Sequence, residues 1–232
     1  MATGRRDWLK DCSARVGAAW LTAAGGLGTV PARAQAAGTA RRTVLIVGDS
    51  LSAEYGLARG TGWVALLQKR LAAERIDASV VNASISGDTT SGGRSRLPAL
   101  LAQHKPQVVV VELGGNDALR GLPLASTQAN LREMARAAKA SGARVLIVGM
   151  QIPPNFGRRY ADEFAAVFGN VAKGEGTALV PFLLKGVADG PQADAMFQPD
   201  RIHPKEAAHP IMLGNVWPVL RPLLRAVAAA RP

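Results

Sequence analysis

Thr43-Val44-Leu45-Ile46-Val47-Gly48-Asp49-Ser50-Leu51-Ser52 starts as an unbroken apolar run and ends, with no spacer, in a turn of glycine, aspartate and hydroxyl residues. The short β-branched run Val44–Val47 reads as a strand. A helical pattern follows near Trp63–Glu74, and the same unit recurs along the chain. Ser79–Val81 leads to a helix near Gly93–Gln103, Val108–Leu113 to one near Thr127–Ala140, and Arg144–Val148 to one near Arg159–Lys173. Ala178–Pro181 supplies a last short strand, and Lys205–Ala229 a mostly helical close with Pro210 and Pro218 as points of interruption. Strands alternating with helices predict a parallel sheet covered on both faces. The expected fold is α/β, a three-layer α/β/α sandwich of about five parallel strands, formed by one domain over residues 37–232.

Open sheets of this kind place their sites outside the carboxyl ends of the strands. That rule selects three loops: Gly48–Ser52, Ser84–Asp88 and Gly114–Asp117. In the first, Ser50 stands at a strand-to-helix turn where a hydroxyl meets solvent. Taken alone such a serine reads as a helix N-cap, and its surroundings lack the G-x-S-x-G spacing of a nucleophile elbow. A serine nucleophile needs a base, and a histidine serves when a carboxylate holds its other ring nitrogen. Asp200-Arg201-Ile202-His203-Pro204 offers both groups across one tight turn. His104 reads instead as a helix-end residue. His209 and Glu206 stand at a spacing from His203 that does not match a zinc-helix motif, and prolines flank that stretch, so no metal is expected. A tetrahedral oxyanion needs aimed donors, which the backbone of Gly87 and the side-chain amide of Asn116 can supply; each loop alone also reads as an ordinary turn.

The chain carries 28 Lys and Arg against 17 Asp and Glu, a net charge of +11. The basic residues are scattered singly and aromatics make up 5% of the chain, so the clustered face of a nucleic-acid binder is absent from the sequence. The 48% of apolar residues is enough for a substantial core. Residues 1–36 read as an export signal: Arg5, Arg6, Lys10 and Arg15, then an uncharged stretch from Val16 to Ala32, then Pro31–Ala36 with small residues for cleavage. Gly4-Arg5-Arg6-Asp7-Trp8-Leu9-Lys10 resembles a twin-arginine signal. The uncharged stretch is short and diluted by Ala, Gly and Thr for a span of about 20 residues, so no stable membrane span is expected after cleavage. Cleavage also removes Cys12, the only cysteine, which suits an oxidising periplasm or the exterior.

Taken together, Gly-Asp-Ser50-Leu-Ser, Gly87, Gly-Gly-Asn116-Asp and Asp200-x-x-His203 resemble, in order and loop position, the four blocks of the SGNH (GDSL) hydrolase family. The resemblance spans about residues 43–225. It implies a flavodoxin-like sheet, no cofactor, Ser50 as nucleophile, His203 as base and then acid, and Asp200 as its orienter. The implied oxyanion hole is Ser50 N–H, Gly87 N–H and the Asn116 amide. The implied reaction is cleavage of carboxylic esters and thioesters, with aryl esters, acyl-CoA and lysophospholipid-type molecules as small-molecule substrates. Acyl chains would lie beside the loop after Asn116, with Leu51, Leu119, Leu122, Ile152 and Phe156 as lining candidates, although ordinary burial claims many such residues. Asp49 and Asp117 read as structural, bonding loop backbone. Two other readings stand beside this one. A carbohydrate O-acetyl esterase would use the same triad, and the apolar stretch Ala118–Leu124 counts against its polar pocket. A non-catalytic flavodoxin-like module would need a phosphate loop, and neither glycine-rich phosphate motif occurs.

Overall fold

The computed structural model describes residues 42–152 and 154–229, and the expected signal at 1–36 lies outside them. Five strands, β1 (Arg42–Gly48), β2 (Ala78–Asn82), β3 (Val108–Glu112), β4 (Arg144–Val148) and β5 (Ala178–Val180), form one parallel sheet in the order β2-β1-β3-β4-β5. β1 pairs with β3 in a register that puts Val44 opposite Val108 and Gly48 opposite Glu112. The helices are α1 (Trp63–Ala73), α2 (Thr90–His104), α3 (Gly115–Leu119), α4 (Leu124–Ala140), α5 (Arg158–Glu175), α6 (Ala193–Met196) and α7 (His209–Ala229).

The faces the helices cover follow from the strand order and crossover handedness. The chain steps one way from β1 to β2 and the other way from β2 to β3, so right-handed connections put α1 on the face opposite α2, α4 and α5. Neighbours agree: α7 packs on α1, whereas α2, α4 and α5 pack side by side. Both faces being covered, Val44–Val47 and Val108–Val111 are fully buried. Arg70 of α1 lies over the Trp217 ring of α7, 4.7 Å from its centroid, and joins the two outer helices.

The reversal of chain direction between β1 and β3 opens a crevice at their carboxyl ends, where ligands of doubly wound sheets bind. The segments that follow β1 and β3 carry Ser50, in a loop, and Asn116, in α3. Among the described residues no helix is long and apolar enough to cross a membrane.

The closing helix corrects one expectation. α7 starts at His209 and runs through Pro218 and Pro222 without interruption. Pro210 sits in its first turn, where a missing N–H costs nothing. Pro210, Gly214, Pro218 and Pro222 recur every fourth residue on the exposed side, so each carbonyl that loses its helical partner faces solvent.

Candidate active site

Val44–Val47 deliver the chain to the carboxyl end of the sheet, and Asp49 then folds it into a tight turn. Asp49 Oδ1 accepts the Leu51 N–H at 3.0 Å, while its backbone carbonyl accepts the N–H of Ser52 at 3.2 Å and of Ala53 at 2.9 Å. Ser50 does not cap a helix, because α1 begins only at Trp63. Its Oγ lies 2.9 Å from His203 Nε2.

His203 stands in a small clamped loop. Phe197 and Pro204 form an antiparallel bridge, Gln198 N–H donates to the His203 carbonyl at 2.8 Å, and Arg201 takes the left-handed conformation at φ 57°. That turn brings Asp200 Oδ2 to 2.7 Å from His203 Nδ1. Asp200 Oδ1 accepts the N–H groups of Ile202 at 2.9 Å and His203 at 3.0 Å. The His203 N–H above all, then the Ile202 N–H and the imidazole, hold the Asp200 carboxyl down at about 2, against a smaller opposing effect of burial. A carboxylate so fixed accepts from Nδ1–H, which leaves Nε2 to accept the Ser50 hydroxyl proton. The Tyr55 ring stacks on the imidazole at 4.3 Å between centroids, and Gln198 Nε2 donates to the Tyr55 carbonyl at 3.0 Å, tying the base loop to the serine loop.

Gly87 occupies the turn after β2 at φ 80°, a conformation open to glycine at little cost. Arg120 Nη2 donates to its carbonyl at 2.7 Å. From the inner side Arg96 reaches Asp88, the Ala83 carbonyl and the Gly48 carbonyl, so one guanidinium joins the first two loops. Asn116 lies in α3, a helix not expected from its Gly-Gly-Asn-Asp sequence. α3 forms because Asp117, buried, accepts the Thr90 N–H at 2.9 Å, the Thr90 hydroxyl and the Thr127 hydroxyl at 3.3 Å, pinning it between α2 and α4. Asn116 Nδ2 donates one hydrogen to Asp49 Oδ2 at 3.2 Å and has a second to spare. The N–H groups of Ser50 and Gly87 find no acceptor among the described residues.

Asp49 bonds loop backbone as expected and also holds the Asn116 amide, whereas Asp117 bonds the first turn of α2 and a threonine of α4 instead of loop backbone. The lining candidates divide. Leu119, Leu122 and Phe156 are exposed on the carboxyl edge and Ile152 is half-buried, but Leu51 is 7% exposed and belongs to the core, so it cannot line an open groove. Tyr55, Ile85 and Ile202, unremarked in the sequence, are exposed on the same loops. His209 is buried; its Nδ1 accepts the Trp63 N–H at 3.0 Å, and burial pushes it down. His104 ends α2 at the opposite edge of the sheet. Sequence reasoning also passed over Glu112, although a carboxyl closing a run of four valines was a readable anomaly.

The sequence pattern of the GDSL-like lipase/acylhydrolase family matches residues 46–211. Esterase TesA of Pseudomonas aeruginosa is 59% identical over 185 residues, covering 80% of this chain and 90% of that one. Thioesterase 1/protease 1/lysophospholipase L1 of Escherichia coli K12 is 43% identical over 182 residues, covering 78% of this chain and 85% of that one. A crystal structure of TesA superposes with a TM-score of 0.76 at 59% identity, covering 78% of this chain and 99% of that one.

Proposed function

The chain belongs to the GDSL-like lipase/acylhydrolase family and is a carboxylic ester hydrolase, and from this premise we propose that it works by two-step acyl transfer through Ser50. The observation that carries the assignment is the continuous relay from Ser50 Oγ through His203 to Asp200, at 2.9 and 2.7 Å, beside unspent donors on Ser50, Gly87 and Asn116. Ser50 attacks the ester or thioester carbonyl as His203 Nε2 takes its proton, and the oxyanion is met by the N–H groups of Ser50 and Gly87 and the Asn116 amide. His203 returns the proton to the leaving alcohol or thiol. A water molecule, deprotonated by His203, then attacks the acyl-enzyme and releases the acid and Ser50. No step calls for a cofactor or metal.

The names of the relatives support esters and thioesters of fatty acids, including acyl-CoA and lysophospholipid-type molecules, as the substrate class, with Leu119, Leu122, Ile152 and Phe156 on the acyl side. Residues 1–36 support an exported, periplasmic or secreted enzyme, with the signal removed after Ala36.

The test is hydrolysis of a p-nitrophenyl ester series, short to long acyl, by the full chain and its Ser50→Ala and His203→Ala variants. Turnover should fall by about 10⁶-fold in either variant, as it does when serine or histidine of such a unit is removed. Retained turnover in Ser50→Ala would overturn the assignment, and the chain-length profile reads the acyl preference.

A further inference from the structure

Glu112, at the end of β3, takes no part in the steps above and yet is the costliest side chain to bury. It is 0% exposed. Its Oε2 accepts the Ser52 hydroxyl at 2.7 Å and, weakly, the Asp49 N–H at 3.4 Å. Its Oε1 meets no donor, and no cation pairs with it among the described residues. Trp63 Nε1–H donates to Ser52 Oγ at 3.2 Å, so the one proton of Ser52 is directed at Glu112. There is no slack in this packing: a Cβ at Gly48 would stand 2.8 Å from both Glu112 Oε2 and Ser52 Oγ. Next to it lies another buried carboxyl, Asp49, which receives the Leu51 N–H and the Asn116 amide.

Two neighbouring buried carboxyls do not share two charges near neutrality. The single charge settles where the donors are. Asp49 has two N–H donors and the field of His203; Glu112 has one hydroxyl and one long backbone contact. Burial first, and then the charge of Asp49, push Glu112 well above the usual carboxylate range. Burial lifts Asp49 only to about 6, since the Leu51 N–H, His203 and Asn116 pull it down while Asp88 adds a small push upward.

We propose that Glu112 is a positioning residue for this reaction: in its neutral form it anchors Ser52 and the Asp49 peptide, which seats Ser50 against His203, and it leaves the negative charge on Asp49, which aims the Asn116 amide. The proposal rests on the roles given above to Ser50 and Asn116. It requires at position 112 a neutral, planar group that hydrogen-bonds, not a charge. Glutamine meets that need and leucine does not.

The experiment measures kcat and KM of the full chain on p-nitrophenyl butyrate from acid to alkaline pH, with Ser50→Ala, Glu112→Leu, Glu112→Gln and Asp49→Asn. Glu112→Leu should lower kcat by about 10- to 100-fold, the cost of a small misplacement of reacting groups, with KM within about twofold. Glu112→Gln should restore most of that loss. Asp49→Asn should lower kcat by about 100-fold, comparable to losing one oxyanion donor, and remove an ionisation near pH 6 from the acid limb. Wild-type kcat in Glu112→Leu, or Glu112→Gln as slow as Glu112→Leu, overturns the proposal. If Glu112→Leu does not fold, a tenfold loss in Glu112→Gln or an unchanged acid limb in Asp49→Asn does so. Residual turnover in Ser50→Ala would strike the serine assignment itself; an inactive Ser50→Ala together with a failed Glu112 result strikes only this inference.

Discussion

The two edges of the sheet obey the same topology and are built in opposite ways. At the amino edge the connections are 74–77, 105–107, 141–143 and 176–177, and each turns on one left-handed residue: Arg75, Lys105, Gly142 or Gly176. At the carboxyl edge the chain takes 49–62, 83–89, 113–123, 149–157 and 181–208 to make its returns. All six large apolar side chains exposed among the described residues, Tyr55, Ile85, Leu119, Leu122, Phe156 and Ile202, stand on that edge. Left-handed residues occur at both edges but do different things. Lys105 and Gly176 close helices by returning an N–H to the last turn, whereas Gly87 shapes the turn after β2 and Arg201 the turn that sets His203 against Asp200. A fold of this type needs its short turns for stability and its long loops for chemistry.

If that division holds, changes at the carboxyl edge move rate more than stability, and changes at the amino edge do the reverse. The largest effect is expected for Asp200→Asn. The amide cannot hold His203 in the required tautomer, so kcat should fall by about 10⁴-fold, while Tm changes little because the Asp200 side chain is partly exposed and its asparagine replacement still accepts from the loop N–H groups. A Tm that collapsed with the rate would break the contrast by making the base loop a structural element. Asn116→Ala comes next, with kcat lowered by about 10²- to 10³-fold and KM nearly unchanged, since its amide meets charge that develops only at the tetrahedral stage. A rise in KM alone would move Asn116 from the oxyanion to ground-state binding. The smallest effect sharpens the other side. Lys105→Gly relieves a side chain held at φ 42° but loosens the unfolded chain, and the two nearly offset, leaving a gain of about 0.5 kcal/mol in thermal unfolding with kcat unchanged. An altered kcat there would show that the amino edge is not mechanically separate from the site.

Much of this could be read beforehand, for definite reasons. Val44–Val47 and Val108–Val111 announce strands, and the alternation with helical patterns dictates a parallel sheet covered on both faces. Ser50, Gly87, Asp200 and His203 fall in loops at the carboxyl edge, and Asn116 in the short helix α3 beside them. What escaped depends on contacts between distant residues. The Gly114–Asp117 stretch reads as a turn because nothing local reveals that Thr90 and Thr127 will hold Asp117 and wind α3. α2 starts at Thr90 rather than Gly93 because the Thr89 hydroxyl accepts the Gly92 N–H, a cap that also lets glycine into the first turn. Leu51 looked like a groove residue by its place beside Ser50, but the Asp49 turn points it inward. Pro218 reads as a break until Gly214 and Pro222 are seen to share its outer face.

The hydrogen bond from Ser50 to His203 joins residues 153 positions apart, and a second tie, from Trp63 N–H to His209, spans 146. A chain emerging from synthesis therefore displays its serine, its glycine turn and its asparagine long before any base exists to activate them. If His203 is the base proposed above, hydrolysis waits until the two ends of the domain have met, and a copy cut short of residue 203 is silent.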